Sequence, residues 1–290
     1  MMTLPQTTRP AAVAGSFYPS DPVALGRAVD ELLSVAGETQ CKRSDEGALA
    51  PKALVVPHAG YVYSGPIAAS AFAHWRSLSG AGVRRVILIG PAHRAFVRGL
   101  VSPGDHYLTT PLGRVEVDEA ALQVVPDVTA SVHAHASEHS LEVELPFIQR
   151  LLPGVQIVPL AAGEASAEQV GQILDALWGG PETRIVISTD LSHYLPYARA
   201  KAVDTETVAR IMALDVDGID HERACGATGL SGLLWVARRR GLSVRLFDLR
   251  NSGDTAGDRG RVVGYAALGF YEREPLASSP ADAKPQARGR

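Results

Sequence analysis

The chain has 290 residues, 46% of them apolar and 20% charged, an ordinary globular composition; at ~150 residues per domain it accommodates one large domain or two small ones. With 28 Lys and Arg against 31 Asp and Glu, the net charge of -3 supplies no basic field for a phosphate backbone, so nucleic acid is not expected as a partner. Apolar runs such as Val86–Ile89 and Ile185–Ile187 fall far short of the ~20 residues of a membrane span, and the opening MMTLPQTTRP lacks the pattern of a secretory leader. A cytoplasmic protein without a membrane partner is expected. Two cysteines, Cys41 and Cys225, cannot build a disulfide framework and are expected as thiols.

In chain order, Asp21–Leu33 carries apolar residues at helical spacing after Ser-Asp-Pro, which predicts a capped amphipathic helix. Gly37–Ala50 is polar and predicts a surface loop. Short β-branched runs then alternate with longer amphipathic ones. Strands are predicted at Ala53–Val56, Arg85–Ile89, Gln156–Leu160, Arg184–Ile187, Ser243–Phe247 and Val262–Phe270. Helices are predicted near Pro66–Trp75, Asp118–Val125, Leu141–Leu152, Ala167–Trp178, Ala198–Leu214 and Gly229–Arg239. This alternation predicts a three-layer α/β/α fold around a largely parallel, mixed sheet. Arg98–Val117, with breakers at Ser102-Pro103-Gly104-Asp105 and Pro111-Leu112-Gly113, reads as a hairpin excursion. The Pro-, Ala- and Ser-rich end cannot bury enough apolar surface to offset ordering, so one unit over 1–271 and a disordered tail over 272–290 are expected.

In doubly wound sheets ligands bind beyond the carboxyl ends of the strands, so polar residues just past a strand are site candidates. His58 follows Leu54-Val55-Val56-Pro57, and His93 follows the Val86–Ile89 run. Asp190 and His193 follow Ile185-Val186-Ile187, while Asn251, Ser252, Asp254 and Thr255 follow Val244–Leu249. Imidazoles with a carboxylate suit a divalent transition metal, and two histidines plus one carboxylate is the non-haem Fe(II) arrangement; zinc takes the same ligands. GxGxxG and GxxxxGK[ST] are both absent. Each residue also has a structural reading. Asp190 can cap a turn, Cys225 can be a small buried residue, and Glu138, Glu142 and Glu144 can favour the positive end of a helix whose buried stripe includes Leu141 and Leu145. Glu144 flanks that stripe and can face a crevice. His74, His106, His133, His135 and His221 sit in surface-like contexts.

The ordered set AGSFYP (14–19), PHAGYVYSG (57–65), GPAH (90–93), EHSLEVELPF (138–147), STDLSHY (188–194), Cys225-Gly226, NSGDTAGD (251–258) and VVGYAALGF (262–270) resembles the Memo-like proteins, known in prokaryotes as AmmeMemoRadiSam system protein B. The resemblance runs from about Arg9 to Tyr271. It implies a fold similar to the catalytic subunit of class III extradiol ring-cleavage dioxygenases, which are non-haem iron enzymes. It further implies His58 and His93 as metal ligands and His193 as acid/base, with Asp190 beside it. The third ligand in animal members of the family is a cysteine and in the dioxygenases a glutamate. Thr255 aligns there, and because a threonine hydroxyl is a poor ligand the adjacent Asp254 is expected to coordinate. Tyr61, Glu138, His139, Glu144, Thr255 and Cys225 are the expected substrate-facing or ligand-supporting residues.

The resemblance therefore implies a metal-binding protein, as an iron oxidoreductase acting on a small aromatic or other oxygen-bearing substrate. The expected ion is Fe(II), with zinc or copper as alternatives. Two rival readings share the residues. One is a non-catalytic metal- or peptide-binding adaptor working with AMMECR-type and radical S-adenosylmethionine partners. The other is a zinc hydrolase with Glu144 or Asp190 as base, which lacks an HExxH pair. All rest on one expectation: that His58, His93 and Asp254 converge on one cation with His193 close by.

Overall fold

The computed structural model describes residues 6–41 and 50–272. The Cys41 side chain, the 42–49 part of the expected surface loop and the tail from residue 273 lie outside the described residues.

A short strand β1 (Thr8–Arg9) leads to helix α1 (Pro22–Cys41), strand β2 (Ala53–Val56), helix α2 (Tyr61–Phe72) with a 3-10 extension to Leu78, and strand β3 (Arg85–Pro91). The excursion follows as β4 (Leu100–Ser102), β5 (Tyr107–Thr110), β6 (Gly113–Glu116), α3 (Glu119–Leu122), β7 (Thr129–Ala130) and α4 (Val132–Ala136). The second half runs α5 (Leu145–Leu151), β8 (Gln156–Ala162), α6 (Ala167–Leu177), β9 (Thr183–Ser188), β10 (His193–Leu195), α7 (Tyr197–Met212), α8 (Ala227–Arg240), β11 (Ser243–Asn251), α9 (Ser252–Thr255) and β12 (Val262–Tyr271).

The principal sheet has the order β10-β12-β2-β9-β3-β8-β4-β7, with β11 also paired to β12. Its centre, β2-β9-β3-β8, is parallel, and β12 and β4 flank that centre antiparallel. Alternation along the central strands divides the core. Leu54, Val56, Val86, Leu88 and Val186 enter one cluster with α1, α2 and α5. Val55, Ile87, Ile89, Ile185 and Ile187 enter the other, beneath α6, α7 and α8. Side chains on both faces are buried, which is why these runs read as continuously apolar. The fold is a three-layer α/β/α with a mixed central sheet. Among the described residues no helix is long and apolar enough to cross a membrane.

Several boundaries differ from expectation. The first helix continues to Cys41. Gly37 lies inside it and does not break the helix; a Cβ there would meet only the flexible end of the Arg76 side chain. Helix α2 begins at Tyr61, so Pro66 is internal; its first turn is held by Tyr61 N–H donating to Phe17 O at 2.8 Å and Tyr61 Oη–H to Val143 O at 2.8 Å. The segment read as a helix from Leu141 is a 3-10 turn over Glu142–Glu144 before α5. Glu142 there does not serve a helix dipole: it is fully buried against Arg9 at 2.5 Å and also accepts N–H bonds from Ala12 and Val13. The hairpin excursion is β5–β6, closed by a turn in which Gly113 has φ +119. Beside it β1 adds a third, parallel strand, while β4 joins the principal sheet.

One topological feature places the site. The chain passes from β2 to β3 and only later lays β9 between them. The carboxyl ends of β2 and β3 therefore flank the end of β9 at a strand-order switch. Strands two places apart are ~10 Å from each other, so side chains from both can lean across the intervening end, and this is where open α/β sheets bind ligands.

Candidate metal centre

His58 stands two residues beyond β2 and His93 two residues beyond β3. A third imidazole, His139, is delivered between α4 and α5. One ring nitrogen from each lies within 4.8 Å of the others. The ring centroids are 5.2 Å apart for His58 and His93, 5.5 Å for His58 and His139, and 4.8 Å for His93 and His139. Two nitrogens on one ion, at ~2.1 Å each, sit at most ~4.2 Å apart. The cluster thus closes on a cation with a shift of roughly an ångström in its widest pair.

Each imidazole is held by its surroundings. His58 is 2% exposed; its backbone N–H donates to Asp190 Oδ1 at 2.9 Å, and its Nδ1 lies 2.7 Å from Ser188 Oγ. His93 is more open, with 28% of its side chain exposed, and its Nδ1 is 3.0 Å from Glu138 Oε1. Such a contact orients the ring and leaves Nε2 for an ion, the usual role of a carboxylate behind a ligating histidine. Glu138 also accepts the backbone N–H groups of His93 at 2.5 Å and of His139 and Ser140 at 2.9 Å. Burial pushes its carboxyl up, but these bonds outweigh burial and hold it at about 2. His139 stacks on His93 and meets Phe17 at 4.8 Å. Its Nδ1 is buried, 3.4 Å from Glu138 Oε1 and without a hydrogen bond among the described residues. A buried ring nitrogen with so weak a partner, inside a three-imidazole cluster, is chemistry that suits a divalent cation.

Burial also drives the protonation states. It lowers His139 to about 4 and His58 well below 6.5, helped in both by neighbouring histidines. Both rings are therefore neutral at pH 7, as ligands must be. Burial raises Asp190 to about 7, against the bond from the His58 N–H. Cys225 Sγ is 3.4 Å from His58 Nε2 and 3.3 Å from the Asp190 N–H that donates to it. Burial and then the Asp190 charge raise this thiol to about 12, so among the described residues it stands as a protonated thiol at pH 7. His193 is lowered by burial and is close enough to feel the charge of His93 and to act on His58.

The expected residues are thus placed as follows. His58 and His93 come together, with Asp190, Cys225 and His193 around them. Asp254 is not in the cluster. Its Oδ1 accepts from Tyr197 Oη at 2.6 Å, and its Oδ2 accepts from Asn251 N–H at 3.1 Å in a capping box at the start of α9. Thr255 donates to Ser252 O at 3.4 Å in the same turn. The third imidazole is His139, which was expected only in a supporting role. The signal for it was present in Glu138-His139-Ser140: a carboxylate that orients one histidine lies next to another. Tyr61 braces Val143 through its hydroxyl, and Glu144 is fully buried behind Ser188. His135, read as a surface residue, is 1% exposed, with Nε2 2.9 Å from Val101 O. A separate groove of about 1380 Å³ opens between α1, α2 and β11, lined by Val35, Val62, Phe247 and Leu246 among others, and none of the cluster histidines lines it.

Fold and cluster together define a class: a three-layer α/β protein with a histidine-rich centre, able to hold a metal ion, at the switch point of its sheet. Comparison with known proteins gives the family. The profile of the Memo-like protein family matches residues 9–269, and the chain belongs to that family. A MEMO1 family protein of Methanopyrus kandleri is 32% identical over 281 residues, covering 90% of this chain and 98% of its own length. Similar proteins occur in Archaeoglobus fulgidus, 34% identical over 271 residues with 89% and 97% covered, and in Sulfolobus acidocaldarius, 33% identical over 287 residues with 89% and 98% covered.

Proposed function

We propose that this protein binds a divalent transition metal through His58, His93 and His139, and acts as a non-haem iron oxidoreductase on a small aromatic or other oxygen-bearing substrate. The observation that carries the reading is the three-imidazole cluster at the β2/β9/β3 switch, with His58 and His139 kept neutral by burial and the His93 side chain open to solvent. Bound there, the ion would supply Lewis acidity and exchangeable positions for substrate and O₂. The chain's own residues do the rest. Glu138 orients His93, Asp190 ties down the His58 backbone, and Phe17 shields His139. His193 lies beside the cluster and is not one of its ligands; burial lowers it from the ordinary imidazole value, which leaves the ring free of a proton at pH 7, so it is the group to accept or return a substrate proton. Cys225 borders the set as a fourth donor.

A second reading has its own support. With no carboxylate in the cluster, the donors are three imidazoles, the ligand set zinc uses to activate water. Elemental analysis of anaerobically purified protein, followed by O₂ uptake against a catechol panel, separates the two. Iron with turnover, abolished in His58→Ala and in His139→Ala, supports the first. Zinc with ester hydrolysis and no O₂ uptake supports the second. Protein that retains no first-row metal after reconstitution sinks both.

A further inference from the structure

Behind the cluster, on the side away from solvent, lies a polar group the proposed chemistry does not use. Glu144 is 0% exposed, and its Oε2 has no hydrogen-bond partner among the described residues. Its Oε1 is 3.0 Å from Ser188 Oγ. That hydroxyl is also 2.7 Å from the carbonyl of Ser140 and 2.7 Å from His58 Nδ1. Three polar atoms thus converge on one serine, which owns one proton and two lone pairs.

The count has one full solution. Ser140 O is only ever an acceptor, and among the described residues Ser188 is the donor that reaches it, so the serine proton goes there. The other two contacts must then both donate to the serine oxygen. From His58 this requires a proton on Nδ1, and from Glu144 it requires a carboxylic O–H. With an ionised Glu144, Ser188 would have to give its single proton twice, leaving two bare oxygens 2.7–3.0 Å apart. The orphaned Oε2 agrees, because an unpartnered carbonyl oxygen in a dry site costs far less than half of a naked carboxylate.

We propose that Glu144 is held as an un-ionised acid, and that it and Ser188 are positioning residues that fix His58 with its proton on Nδ1 and Nε2 bare toward the cluster. The electrostatics point the same way: burial, with the Asp190 charge behind it, drives the Glu144 carboxyl well above its ordinary range, against the Ser188 contact. The inference deepens the metal reading above and rests on it for its purpose, since a ligating histidine needs its tautomer set by what its other nitrogen touches. Its local content does not depend on the metal.

The test begins on metal-free full-length protein at about pH 9, where ordinary carboxyls, and Asp190 at about 7, are ionised. Infrared spectroscopy should show the carbonyl stretch of an un-ionised carboxylic acid that vanishes in Glu144→Gln. Nitrogen-15 NMR should place the His58 proton on Nδ1 in the parent and in Glu144→Gln, whose amide can still donate to Ser188. In Ser188→Ala that preference should be lost, and zinc affinity should fall ~10–100-fold, against little change in Glu144→Gln. Ser188→Ala removes one oxygen from a well-packed site and serves if the glutamine variant folds poorly. A carboxylic band independent of residue 144, or a His58 tautomer unmoved by Ser188→Ala, overturns the proposal. If band and tautomer are as stated but the parent binds no zinc or iron, the metal reading falls and the relay stands.

Discussion

Glu138 gathers more of the site than any other side chain, and removing its charge has a calculable cost. Its carboxylate receives the His93 ring and three backbone N–H groups, from His93, His139 and Ser140. These bonds depress its pKa from 4.5 to about 2 although burial opposes them. Because the folded value is the lower one, the stabilisation is fully present above the unfolded value and fades as pH falls between about 4.5 and 2. At 1.36 kcal/mol per pKa unit, the charge contributes about 3 kcal/mol at pH 7 and about 1.5 kcal/mol at pH 3. Glu138→Gln should remove this dependence, since an amide supplies one acceptor oxygen and turns an N–H toward the remaining donors. Urea unfolding of chelator-treated parent and variant gives the comparison. The stability gap should be about 3 kcal/mol at pH 7 and should halve by pH 3. A gap that is the same at both pH values would refute the reasoning, because the loss would then come from packing and not from a stabilised negative charge.

The buried Arg9–Glu142 pair ties the N-terminal segment to the loop that carries His139, and Arg9→Ala should cost ~3–5 kcal/mol in urea unfolding. The exposed Arg150–Asp30 pair is the control: Arg150→Ala should stay within ~1 kcal/mol. Asp254→Ala should lose about 1 kcal/mol of stability through its cap and leave zinc affinity where it was; a tenfold weaker Kd would return Asp254 to the ligand set. Metal occupancy, followed by elemental analysis after dialysis, should hold from pH 7 to about 5 and collapse nearer 4, because burial holds His139 at about 4 and pushes His58 well below 6.5. Loss centred near pH 6.5 would show that these rings are not desolvated as the structure has them.

What could be read from the sequence, and what could not, divides along a physical line. The central strands were legible because burial on both faces forces continuous β-branched runs, and their ends marked His58 and His93 by position alone. Strand order carries no such mark. Nothing along the chain says that β9 enters between β2 and β3, and that insertion is what turns two distant histidines into neighbours. The places of Asp254 and His139 are hidden from the sequence for related reasons. An acidic residue three positions after Asn is equally a ligand or the closing member of a capping box, and only the Tyr197 and Asn251 contacts decide it. His139 sits in a stretch whose glutamates resemble the acidic first turn of a helix. Arg9, 133 residues from Glu142, neutralises one of those charges in the interior and lets the segment run through the core instead of over the surface. That burial is what makes the EHS loop a rigid carrier for His139. Glu138, bonded to both histidine backbones, holds them in register, and a surface helix start could not have presented His139 to His58 with the same constraint. The long-range ion pair at Arg9 thus precedes the histidine cluster in the chain of causes, although no local pattern announces it.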